Sequence, residues 1–134
     1  MMTAVAASTL AISLLGCADA PPEASDVQSE LIAGYAPCDS VLLSDFEKTN
    51  SIDRGDHYQV DLTWKFTFTR DVARLQMLLP TGEGLCNNMP MTQVLLAQLT
   101  EAGVDISEGV SKGLVVGASN TYKVVKSEKG WVID

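Results

Sequence analysis

The chain has 134 residues, enough for one domain with a modest core and too few for two. Hydrophobic residues make up 46% of it, which excludes a disordered chain. The formal net charge is -8 and the first basic residue is Lys48, so phosphate backbones repel the protein and a nucleic-acid partner is not expected.

Residues 1–16 read as an export signal rather than as part of the fold. Ala4 to Leu15 is an apolar run broken only by Ser and Thr. At about 1.5 Å per residue it is too short to cross a bilayer core of about 30 Å. The run ends in Leu14-Leu15-Gly16-Cys17, which resembles the lipobox of bacterial lipoproteins. That resemblance implies cleavage before Cys17, a diacylglycerol on its sulfur and usually an acyl chain, such as palmitate, on the new N-terminus. Each buried methylene contributes about 0.8 kcal/mol, so several chains make a durable anchor. Ala18, not Asp, follows the cysteine, which in enterobacterial-type sorting implies the outer membrane, with the domain facing the periplasm. The resemblance covers only these four residues and the run before them. Leu15 is larger than the residue usual there, and no Lys or Arg precedes the run. Two other readings stay open: an ordinary signal peptide cut after Ala18-Asp19-Ala20, which Pro21 would obstruct, and a buried cysteine ending a core helix.

Residues 17–34 read as the lipidated cysteine and an acidic linker, with Pro21-Pro22 and the acids Asp19, Glu23, Asp26 and Glu30. Glu23 to Leu31 has helical potential but almost no apolar face before Leu31-Ile32. The expected role is a stand-off from anionic headgroups, or simply a leader without one. The domain proper is expected over 35–134.

Val41 to Phe46 has strand character, with an imperfect alternation that points to a bulge. Thr49 to Asp56 reads as a loop. From His57 to Thr69 the alternation is unbroken. Tyr58, Val60, Leu62, Trp64, Phe66 and Phe68 form an apolar face, and Gln59, Asp61, Thr63, Lys65 and Thr67 a polar one. This is the central rib of an antiparallel sheet covered on one side. Asp71 to Leu79 is read as a short helix, and Pro80 to Asn88 as a loop. Pro90 to Ala102 is the clearest helix. Asn88 can cap it, Gly103 can end it, and Met91, Val94, Leu95, Leu99 and Ala102 share an apolar face that suits the long strand. Val104 to Gly117 is Gly-rich and receives no assignment. Thr121 to Lys126 and Trp131 to Ile133 form a closing hairpin in which Gly130 supplies a positive φ. The last strand is expected inside the sheet. The fold class is therefore α+β: a single antiparallel sheet of about four strands with a helix packed on one face.

Phe46-Glu47-Lys48-Thr49-Asn50, the aromatic strand through Tyr58 and Lys126-Ser127-Glu128-Lys129-Gly130-Trp131 resemble small secreted bacterial domains of uncharacterised function, and this carries over no active site. One helix on a curved sheet would look like the cystatin-like or NTF2-like folds, an analogy of architecture alone.

Cys38 and Cys86 lie in loop-like surroundings and are expected to form a disulfide in an oxidising compartment; two buried thiols are the other reading. No metal or other cofactor is expected, since two cysteines and one histidine make a poor zinc set, and Asp53, Asp56 and Asp61 lack EF-hand spacing. His57 has no nucleophile tied to it by a recognisable motif, so no catalytic residue is assigned. Arg54-Gly55-Asp56 resembles the integrin-binding tripeptide, although all three residues are also typical of turns. Tyr58, Trp64, Phe66 and Trp131 are candidates for a ligand pocket or for plain core. Together these features point to a non-enzymatic lipoprotein of the cell envelope. A protein-interaction or assembly module with an envelope partner comes first, a small-ligand carrier second and a hydrolase last.

Overall fold

The computed structural model describes residues 20–75 and 85–134. The lipobox and Cys17 lie outside the described residues, as does the stretch 76–84, which holds the end of the expected short helix and most of the loop after it.

The elements in chain order are α1 (Ala24–Gly34), β1 (Val41–Asp53), β2 (Tyr58–Phe68), α2 (Met89–Glu101), β3 (Val115–Ser127) and β4 (Gly130–Ile133). The strands form one antiparallel sheet in the order β1-β2-β3-β4. This is the expected α+β architecture, with a helix, α1, where a linker was expected. β2 is the central rib, and its alternation does what a two-residue period dictates. Val60, Leu62, Trp64, Phe66 and Phe68 are all buried, while Gln59, Asp61, Thr63 and Thr67 are half-buried and Lys65 is exposed. Burying side chains of this size contributes about 1.5–3 kcal/mol each.

β1 is longer than expected, because Thr49 to Asp53 continues the ladder rather than looping. Asn50 pairs with Asp61 and Asp53 with Tyr58. The turn shrinks to Arg54–His57, closed by the Arg54 N–H donating to the His57 carbonyl at 2.9 Å, with Gly55 at φ 95°. The irregular alternation of β1 comes from two register shifts, between Ser44 and Glu47 and between Lys48 and Asn50. Each adds a residue and flips the parity. Leu43, then Lys48, then Ser51 thus pair with the buried Phe66, Leu62 and Val60. Asp45 stands in the first bulge at φ 57°, a left-handed conformation that Asp tolerates better than most residues.

The linker reading of 17–34 needs correction, because 24–34 is a helix of the domain. Val27 is fully buried, Leu31 nearly so, and the Tyr35 ring meets Phe66 edge-on at 5.3 Å. The acids that suggested a tether have local work. Asp26 accepts the Glu23 N–H at 2.7 Å, Glu23 lies 3.4 Å from Lys48 Nζ, and Glu30 accepts the Ile133 N–H at 3.0 Å. An i, i+4 pair of apolar residues suffices here because the sheet supplies the rest of the burial.

α2 lies against β3, capped by Asn88 Oδ1 accepting from Met91 N–H at 3.0 Å and followed by Gly103 at φ 90°. Its buried face is turned from the expected one: Thr92, Leu95, Gln98 and Leu99 are buried, whereas Val94 and Ala102 are exposed. Thr92 draws the first turn inward, its hydroxyl accepting from Cys86 N–H at 3.2 Å and lying 3.0 Å from the Asn88 carbonyl.

Asp71 to Leu75 is not the start of a helix. Val72 and Val110 exchange backbone hydrogen bonds of 2.9 and 2.8 Å, and Leu75 N–H reaches the Glu108 carbonyl at 3.2 Å. Gly109 permits this pairing, because a Cβ there would overlap the Val72 and Ala73 carbonyl oxygens. The expected Cys38–Cys86 disulfide is formed, closing a separation of 48 residues. Beside it, Ser40 Oγ donates to the Leu85 carbonyl at 2.6 Å and Asn87 N–H to the Pro37 carbonyl at 2.8 Å. β4 is an edge strand, not an inner one, reached through a tight turn with Gly130 at φ 108°. Both helices contribute to a single core over the apolar face of β2.

Candidate functional site

Of the four aromatic candidates, Trp64 and Phe66 are core. They are 1% and 0% exposed and lock against one another at 5.9 Å, with Phe46 stacked on Trp64 at 6.2 Å. Trp64 Nε1 has no hydrogen-bond partner among the described residues. A wide, open depression of about 670 Å³ crosses the strands at the Asp45 bulge and touches Trp64, but its charged walls answer each other, Lys65 lying 3.4 Å from Asp45.

Tyr58 and Trp131 are half-buried and pack edge-on at 5.6 Å, with Lys126 Nζ 4.7 Å from the Trp131 ring centre. They line a cleft of about 410 Å³ at the β1–β2 turn, together with Asp53, Asp56 and His57. His57 Nδ1 is 2.7 Å from Asp56 Oδ1, and this hydrogen bond holds the Asp56 carboxyl below its ordinary range. The cleft thus joins a histidine to carboxylates, but no Ser, Thr or Cys lines it to serve as a nucleophile. Arg54-Gly55-Asp56 does occupy a hairpin tip. There Arg54 folds back on Gln59 Oε1 at 3.0 Å and Asp56 holds His57, so both charged ends are engaged within the chain. Among the described residues, no group of three or more His, Cys, Asp or Glu could hold a metal ion, and no helix is long and apolar enough to cross a membrane.

The third concavity lies where the sequence reading looked for a pocket, between helix and sheet, but other residues form it. A groove of about 290 Å³ runs between α1 and α2 above β3 and β4, at the lower end of the usual range for ligand pockets. Leu31, Met91, Val94 and Ile133 supply apolar walls. Tyr35, Tyr122, Gln98 and Asn120 supply the polar groups. Burial raises the pKa of both phenols, that of Tyr35 further through the neighbouring Tyr122, so both stay protonated at physiological pH. Gln98 is 8% exposed and its Oε1 has no partner among the described residues. On another side Gln98 borders a void of about 40 Å³ against Gly117 and Ala118. The groove's single charged residue is Glu30, whose carboxylate already accepts the Ile133 N–H.

None of these groove residues was picked out as a site from the sequence. The one available signal was Gln98 itself, a polar residue three positions after Leu95 and next to Leu99, inside the buried stripe of α2. The chain matches no protein-family model, no curated protein and no solved structure.

Proposed function

We propose that this protein is a non-enzymatic binding module of the cell envelope, lipid-anchored through Cys17, and that the groove between α1 and α2 holds a small ligand. The observation that carries the binding reading is the groove itself, where the apolar walls of Leu31, Met91, Val94 and Ile133 meet the polar Tyr35, Tyr122, Gln98 and Asn120. The anchor rests on Leu14-Leu15-Gly16-Cys17 alone, and the outer-membrane, periplasm-facing placement on Ala18.

A protein-binding role is the second reading, favoured by one feature of the open sheet face. Leu42 and Val115, 63% and 52% exposed, flank Thr67 in a single cross-strand row. The hydrolase reading has only the His57–Asp56 pair behind it.

The test of the groove is an NMR titration of the isotope-labelled chain with small neutral fragments. Shifts concentrated on the methyl groups of Leu31, Met91, Val94 and Ile133 are expected. Shifts confined to Leu42 and Val115 on addition of envelope extract would instead favour the protein-binding reading, and silence at the groove would remove the ligand-binding one. The anchor is tested separately by Cys17→Ala, which is expected to move the protein from the membrane to the soluble fraction.

A further inference from the structure

We infer that the ligand of this groove is a small alkylammonium, an aliphatic body carrying one positive charge; the inference rests on the groove being a ligand site.

Among the described residues, Glu30 is the only charged residue in the groove wall, and no Lys, Arg or His lines it. The other polar groups there are neutral. Gln98 and Asn120 are amides, and the phenols of Tyr35 and Tyr122 stay protonated because burial raises their pKa. The Glu30 carboxylate is fixed where α1 meets β4, its Oε1 accepting the Ile133 N–H at 3.0 Å. That is one neutral hydrogen bond on one of its two oxygens, and an ionised carboxylate can accept about four. Glu30 has no ion pair among the described residues, whereas Glu23 lies 3.4 Å from Lys48 Nζ and Asp134 3.0 Å from Lys123 Nζ.

An ion pair between exposed side chains is worth little, partly because two long side chains must be held in one geometry. Here one partner is already held by the backbone of β4. An ammonium group meets this placed carboxylate at the exposed rim, while its aliphatic stem lies on Leu31, Met91, Val94 and Ile133. The head keeps part of its water, so the cost of burying a bare ion does not arise. A carboxylate ligand would face Glu30 without a counter-charge, on a chain of net charge -8. A neutral ligand of the same length makes the same apolar contacts and gains nothing from Glu30. The groove, about 290 Å³, suits a small molecule rather than a peptide segment.

The test is an NMR titration of the full chain with three probes of matched body, pentylammonium, 1-pentanol and pentanoate, followed at the groove methyls. Pentylammonium is expected to bind about five-fold more tightly than 1-pentanol, equivalent to about 1 kcal/mol, and pentanoate least tightly. Added salt should shrink the advantage of the amine and change the binding of the alcohol little. In Glu30→Gln an amide oxygen can still accept the Ile133 N–H, and the amine and the alcohol are expected to bind alike. The same change at Glu128, exposed in the β3–β4 turn, is expected to leave the preference intact. An advantage that survives Glu30→Gln would come from the overall charge of the chain and would overturn the inference. Equal binding of all three probes to the unmodified chain would also overturn it and leave the groove as a ligand site. Failure of every probe to shift the groove would overturn both. Should Glu30→Gln not fold, the ranking on the unmodified chain and on Glu128→Gln decides the matter.

Discussion

Where β2 runs out at Phe68, the chain is tied together many times over. The Cys38–Cys86 disulfide, the Ser40–Leu85 hydrogen bond, the Thr69 N–H on the Ser40 carbonyl and the Val72–Val110 pair all lie beyond that end of the rib. Where β2 begins, at Tyr58, there are two tight turns, one edge-on aromatic pair and a cation over a ring. One end carries a covalent cross-link, and the other is held by packing and hydrogen bonds with no cross-link among the described residues. Local opening draws on the weaker end first. The groove spans both regimes, since the start of α2 belongs to the cross-linked end while Ile133 belongs to the short edge strand. A ligand there would bridge a fixed wall and a looser one.

The largest effect is expected from the double change Cys38→Ser, Cys86→Ser. Loop entropy assigns a closure of this length about 4 kcal/mol, read as a fall in the urea midpoint. An unchanged midpoint would mean that the hydrogen bonds alone make this end strong. Gly109→Ala follows, with about 3 kcal/mol lost, because the added methyl displaces the Val72–Val110 pairing. The loss should be accompanied by faster amide exchange at Val72 and Val110. Trp131→Ala acts at the other end and is expected to cost about 1.5 kcal/mol, less than a full core truncation because the ring is half-buried. Exchange should quicken in β4 while the cross-linked end stays protected, and equal quickening at both ends would show that the two ends do not differ in local stability.

The smallest effect concerns acid. The Asp56 carboxyl is held below its ordinary value, chiefly by the His57 hydrogen bond. A depressed carboxylate contributes stability that is present above its ordinary value and lost as pH falls through the folded one. Melting curves between about pH 5 and pH 2 should therefore show a slightly shallower acid loss for Asp56→Asn than for the parent chain. The group is fully exposed, so the difference is small.

What could be read in the sequence follows from how local the cause is. The rib was plain because every second residue from Tyr58 to Phe68 is apolar. The disulfide and the ends of α2 were also legible, since Asn88, Pro90 and Gly103 act within a few residues of themselves. α1 was not, because its Val27 and Leu31 are two apolar residues among acids and become a face only when the sheet covers them. The Val72–Val110 pairing was hidden because it depends on Gly109, far along the chain, lacking a side chain. The groove was hidden for the same reason at larger scale: Tyr35, Gln98, Tyr122 and Ile133 come from four different elements or their flanks, and no motif spans them.

The two margins of the sheet have one further consequence. If the proposed anchor holds the protein on a membrane, its copies would meet at a crowding that free diffusion never reaches, and an unguarded strand would invite them to zip into ribbons. Here the outer strand at one side is broken twice, with Asp45 in a left-handed kink. The strand at the other side is four residues long, with its Ile133 N–H already taken by Glu30. Such margins disfavour edge-to-edge pairing between copies of the chain.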